Sequence, residues 1–122
     1  MARGNPKAVP NEARVEVALR ALTEGLSRCG ALRKSTIVIR ASGAGGGVYC
    51  VECAPGSARL ATTGPTAPPT IEVAGEARQI EALLHGRKDP RKLFLTGGFG
   101  VRGDLRYLSD LAVELGFLTE PL

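Results

Sequence analysis

Tryptophan is absent from this chain of 122 residues, and two tyrosines and three phenylalanines are its whole aromatic complement. A core must therefore come from Leu, Val, Ile and many Ala, side chains small enough to leave a cavity. The same scarcity removes the stacked aromatic platforms on which nucleic acid lies, so no nucleic-acid partner is expected. One histidine, His85, excludes a two-histidine metal site and leaves a single imidazole as candidate base. Three cysteines are an odd number, with no second Cys-x-x-Cys pair for zinc. No stretch approaches the roughly 18 apolar residues of a membrane span, and no apolar signal run opens the chain. We expect a reduced, cytoplasmic protein without metal or cofactor.

What is present is the composition of an ordinary globular protein, 43% apolar and 23% charged. Its length suits one domain. Residues 1–10 carry Arg3, Gly4, Pro6, Lys7 and Pro10 with little to bury, and are expected to be a flexible arm; residues 11–122 are expected to be a single domain. Sixteen basic and twelve acidic side chains leave a formal charge of +4, which favours encounters with anionic partners without naming a function.

The periodicity predicts an amphipathic helix from about Asn11, with Val15, Ala18, Leu19, Leu22, Leu26 and Cys29 on one face and Gly30 as its stop. Four short strands follow: Thr36 to Ala41, Val48 to Cys53, Ser57 to Thr62 and Thr70 to Ala74. Gly43 to Gly47, then Ala54 to Gly56, then the proline-rich Gly64 to Pro69 separate them. A period of two faces Ile37 and Ile39, Tyr49, Val51 and Cys53, and Ile71 and Val73 inward, in a meander with one buried face. A helix from Glu76 carries Ala77, Ile80, Leu83 and Leu84 to His85 and Gly86. Asp89 and Pro90 start another through Phe94. Phe99 and Val101 read as a fifth strand whose Gly98 and Gly100 side invites close packing, and whose helical crossover suggests parallel pairing. Asp104 caps a last helix with Leu105, Leu108, Leu111, Ala112 and Leu115 on its apolar face, before an apolar Phe117 to Leu122 tail. The fold class is α+β, a five-stranded mixed sheet with helices packed on one face.

Catalytic chemistry is poorly supplied. His85 ends a helix, where imidazoles commonly serve the last carbonyls. No nucleophile motif surrounds any Ser or Cys. Cys50 and Cys53 spell Cys-x-x-Cys within a strand, where residues three apart point to opposite faces, so they read as packing residues. Gly98, Gly100 and Gly103 fit Gly-x-Gly-x-x-Gly, but too little chain remains beyond them for a dinucleotide-binding unit. We expect no catalytic residues. Arg87, Lys88, Arg91 and Lys92 form a basic surface patch; such runs are mostly solvated, and otherwise meet phosphates or an anionic membrane at about 1 kcal/mol for each basic side chain. The helix faces Ile80, Leu83 and Leu84, Phe94 and Leu95, and Leu108, Leu111, Ala112 and Leu115 can pack as core, or close a dry tunnel over the sheet.

From Thr70 to Leu115 the chain resembles the lipid-binding domain of the sterol carrier protein type 2 family. The resemblance rests on spacing: Thr70 and Ile71, then Leu83 and Leu84, then Gly86, Asp89, Pro90, Phe94, Gly97, Phe99, Val101, Gly103 and Asp104, with no gap from Gly86 onward. It implies an apolar tunnel between sheet and helices that takes an acyl chain, acyl-CoA, phospholipid, sterol-like or isoprenoid-like molecule, and it implies binding without turnover. By position the tunnel would be lined by Ile71, Val73, Ile80, Leu83, Leu84, Phe94, Phe99, Val101, Leu108, Leu111 and Leu115. The expected function is a lipid-binding or carrier domain with an apolar lipid-like ligand and transient contact with anionic membrane. The alternative is a structural domain of the same fold with a closed core, joining a homodimer or another partner.

Overall fold

The computed structural model describes residues 11–61, 68–86 and 89–119; the side chains of 11–14 and of Phe94 also lie outside the described set. The arm expected over 1–10, Thr62 and most of the Gly64 to Pro69 link, Arg87, Lys88 and the last three residues of the tail fall outside it too. Helix α1 (Asn11–Ser27) opens the described chain, followed by strands β1 (Ser35–Ser42), β2 (Gly47–Ala54), β3 (Ser57–Leu60) and β4 (Ile71–Glu76). Helices α2 (Ala77–Leu84) and α3 (Pro90–Leu95) lead to β5 (Phe99–Gly103) and α4 (Leu105–Leu115).

The five strands form one mixed sheet in the order β3-β2-β1-β4-β5. Two tight connections make β1-β2-β3 an antiparallel meander, with Ile37 opposite Val51 and Cys53 opposite Ala58. The fourth strand departs from the expected meander. It runs parallel to β1, with Ile37 beside Ile71 and Ile39 beside Val73, rather than pairing with β3. In the sheet β3 and β4 are thus separated by β2 and β1, and Thr70, just before β4, donates its N–H to the Thr36 carbonyl at 2.8 Å. The fifth strand corrects a second expectation, because it pairs antiparallel to β4 with Val73 opposite Val101 and Gly75 opposite Phe99. The chain re-enters the sheet at the end it left, so the α2–α3 excursion is a return rather than a crossover.

Alternation along the strands sorts the side chains into two faces. Ile37, Ile39, Ala41, Val51, Cys53 and Ile71 are buried with Val15, Leu19 and Leu26 of α1, Ala77 and Ile80 of α2, and Tyr107 and Leu111 of α4. Each such Leu or Ile contributes about 1.5–3 kcal/mol by leaving water. Val38 and Cys50 are buried on the opposite face.

Glycine and aspartate punctuate these elements. Asp104 is the N-cap of α4, its carboxylate accepting the Tyr107 N–H at 3.0 Å. Gly116 stops the same helix in the left-handed region at φ 87°, after which the Phe117 N–H returns to the Ala112 carbonyl at 2.9 Å. Gly98 falls in the turn before β5 and not in the strand; a Cβ there would stand 2.1 Å from Leu93 Cδ1, so the close packing is at the entry to β5, whereas at Gly100, within the strand, the space is open and that expectation fails. On α3 Leu93 is buried, whereas Leu95, read from sequence as facing inward, is 76% exposed.

Candidate functional site

Three helices reach across one face of the sheet, and they do not fill the space over β1, β4 and β5. A cavity of about 150 Å³ remains there. Its floor is Ile37 and Ile39 of β1, Val73 of β4, and Phe99 and Val101 of β5. Leu22 and Leu26 of α1, Ile80, Leu83 and Leu84 of α2, and Leu105, Leu108, Leu111, Ala112 and Leu115 of α4 form its walls. Pro90, Phe117 and Leu118 stand at its margin, and Ser109 contributes the one polar side chain among the described lining. A dry apolar cavity of this size has room for a benzene-sized group, and water gains little there because it finds few hydrogen-bonding partners.

Of the residues proposed from sequence as lining, nine meet at this cavity: Val73, Ile80, Leu83, Leu84, Phe99, Val101, Leu108, Leu111 and Leu115. Ile71 is fully buried in the core and does not reach the cavity surface. The Phe94 side chain lies outside the described residues. Sequence reasoning missed the α1 contribution, Leu22 and Leu26, although both sit on the stripe that marked that helix as amphipathic. It also left Phe117 and Leu118 in an apolar tail, whereas Leu118 is buried and both face the cavity margin.

The helix that forms one wall is held at both ends. At its start, Arg33 makes an ion pair with Asp104 at 2.6 Å and lies 4.0 Å over the Tyr107 ring. The Tyr107 hydroxyl accepts the Arg33 N–H at 3.1 Å and shares a hydrogen bond with the Ser35 hydroxyl at 2.8 Å. The Tyr107 N–H, then the Arg33 guanidinium, holds the Asp104 carboxyl below the ordinary aspartate range. Near its other end, the Glu114 carboxylate accepts the N–H groups of Gly30 and Ala31, both at 2.8 Å. Gly25 lets α1 and α4 close up: a Cβ there would lie 2.9 Å from Leu115 Cδ2.

The groups weighed for chemistry are placed away from one another or made inert. His85 sits at the C-cap of α2, its N–H donating to the Glu81 carbonyl at 3.1 Å and its Nε2 3.9 Å from the Glu81 carboxylate. Cys53 lies on the helix-covered face and Cys50 on the other; burial pushes both thiols up, and Cys29 as well, so each stays a protonated packing group. Among the described residues there is no cluster of three or more His, Cys, Asp or Glu able to hold a metal ion. No helix among them is long and apolar enough to cross a membrane. Of the expected basic patch, Arg91 and Lys92 are exposed on α3, while Arg87 and Lys88 lie outside the described residues.

No family model matches the chain, and no curated protein matches it. Solved structures do. The sterol carrier protein domain 2 of Helicoverpa armigera superposes with a TM-score of 0.62 at 17% identity, over 100% of this chain and 100% of that one. The palmitated SCP2L2 of Aedes aegypti gives a TM-score of 0.63 at 16% identity, covering 83% of this chain and 93% of its own. The UbiJ-SCP2 ubiquinone synthesis protein gives 0.60 at 15% identity, over 86% and 92% of the two chains. The chain therefore has the fold of the sterol carrier protein 2 domains, an α+β domain with a five-stranded mixed sheet.

Proposed function

We propose that this protein is a non-catalytic carrier that holds the hydrocarbon part of a lipid-like molecule in the cavity between its sheet and helices α1, α2 and α4. The observation that carries the reading is the cavity wall: side chains from seven separate elements converge on one space and, among the described lining, all but Ser109 are apolar. Such a surface gains free energy by admitting hydrocarbon, and its described lining sets no acid or base side chain beside the Ser109 hydroxyl. The likeness in fold to sterol carrier proteins, one of them palmitated, supports the same reading. At about 150 Å³ the cavity accepts only part of a long chain, so uptake requires Phe117, Leu118 or α4 to give way.

An acyl chain, acyl-CoA, phospholipid, sterol-like or isoprenoid-like molecule would meet the same wall, and the domain from residue 11 onward would act as one unit in the cytoplasm. Exposed Arg91 and Lys92 beside the 76% exposed Leu95 support transient collection of such a molecule from anionic membrane. Native mass spectrometry tests the central claim. The protein is expected to carry a co-purified lipid or to take up palmitate or a sterol at one equivalent; failure to bind across these classes overturns it.

A further inference from the structure

Of the described residues that line the cavity, Leu105 alone is exposed, at 46%. It opens α4 directly after the Asp104 cap, so its side chain is cavity wall on one side and molecular surface on the other. Leu108, three residues on and on the same helix face, continues the apolar wall inward. Resting on the carrier reading above, we propose that this end of the molecule docks on an anionic bilayer, with Leu105 entering the bilayer as the portal through which hydrocarbon reaches the cavity.

The charge around Leu105 selects the partner. Strand β1 begins and β5 ends at the same end of the sheet, since Ile71 stands beside Ile37 and opposite Gly103. Lys34, just before β1, and Arg102 and Arg106, on either side of Leu105 in the chain, are exposed there and make no ion pair among the described residues. Most nearby carboxylates are taken up: Asp104 pairs with Arg33, Glu52 with Arg59, and Glu72, opposite Arg102, with Arg40. Asp110, one turn beyond Arg106, stands against three cations. A leucine left in water gains by entering hydrocarbon, and basic side chains around it are drawn to anionic headgroups. Entry needs little movement, because Asp104 and Tyr107 fasten the backbone on both sides and an exposed side chain turns freely. Leu95, the exposed leucine of α3, precedes the opposite end of β5 and does not line the cavity, so it offers contact without entry.

The test uses the full chain, whose lack of tryptophan makes a substituted one the sole reporter. The probes are vesicles of phosphatidylcholine, alone or with about 30% phosphatidylserine. Emission of Leu105→Trp is expected to shift to the blue on the anionic vesicles and to be quenched by brominated acyl chains in them. Val17→Trp, at an exposed α1 position that does not line the cavity, is expected to do neither. Arg102→Glu combined with Arg106→Glu is expected to weaken cosedimentation with anionic vesicles at least tenfold while moving calorimetric affinity for dodecan-1-ol less than twofold. Arg28→Glu, on an exposed residue away from both sites, is expected to move either less than twofold. Thermal melting confirms that each variant folds. If Leu95→Trp shifts and Leu105→Trp does not, or if the charge reversals leave cosedimentation unchanged, the docking site is overturned while hydrocarbon binding stands. Binding to polyglutamate as tight as to anionic vesicles, with no shift at position 105, points to an acidic protein partner and overturns it likewise. If wild-type protein takes up no dodecan-1-ol, the carrier reading falls and the portal with it, whatever the vesicles show.

Discussion

Gly103 shows how one residue sets the geometry of the cavity floor. Its φ is 104°, and a Cβ there would lie 2.1 Å from the Thr70 carbonyl oxygen, the same oxygen that accepts the Asp104 N–H at 3.0 Å. Gly103→Ala combines a left-handed backbone penalty with a clash against rigid backbone, and should cost about 1–3 kcal/mol in urea unfolding. The neighbouring Asp104 supplies a pH signature. Its carboxyl titrates below the ordinary value when folded, chiefly because the Tyr107 N–H and then Arg33 stabilise the ionised form. A depressed folded pKa contributes stability above the unfolded value, and that contribution is lost as pH falls through the folded one. Wild type should therefore lose stability below about pH 4 more steeply than Asp104→Asn, as read by urea midpoints across that range. Both residues were visible beforehand, Gly103 as part of a spaced motif and Asp104 as a cap. The backbone contact that makes Gly103 obligatory was not, because it comes from Thr70, far away in sequence.

Elements were read well where local chemistry marks their ends, and poorly where pairing decides. Pro90, Asp104 and Gly116 bound α3 and α4 as their residue types suggest, and the inward sets of β1, β2 and β4 follow from alternation alone. Strand order has no such local mark. The pairing of β4 with β1 in place of β3, and the return of β5 antiparallel to β4, are tertiary outcomes, so the parallel pair was sought at β5 and is found at β1 and β4. The placement of α4 is likewise tertiary. Glu114 reaches back to cap the turn after α1 through the N–H groups of Gly30 and Ala31. Glu114→Ala should cost about 1–2 kcal/mol, the size expected when charge-assisted but exposed hydrogen bonds revert to water. Hydrogen exchange should then show faster opening of residues 28–32 and of the last turn of α4, with the β1–β2 ladder unchanged.

At the scale of the molecule, the open question of the sequence was whether the oily faces of three helices close on one another or leave room. Core packing and a tunnel lining demand the same residue types, so Leu108, Leu111 and Leu115 read identically in either case. The difference lies in how far α4 stands from the sheet, which Gly25, Glu114 and the Arg33, Asp104 and Tyr107 cluster set from outside the apolar stripe. Ala112 offers a direct discriminator because it is half-buried on the cavity wall. In a solid core, Ala112→Phe would be overpacked and cost about 1–3 kcal/mol. Over a cavity of about 150 Å³, the added ring enters space that a benzene-sized group can occupy. It then buries apolar area with little strain. The variant is therefore expected to melt at or above the wild-type temperature while losing at least tenfold in affinity for dodecan-1-ol. A lower melting temperature with unchanged binding would place the ligand elsewhere.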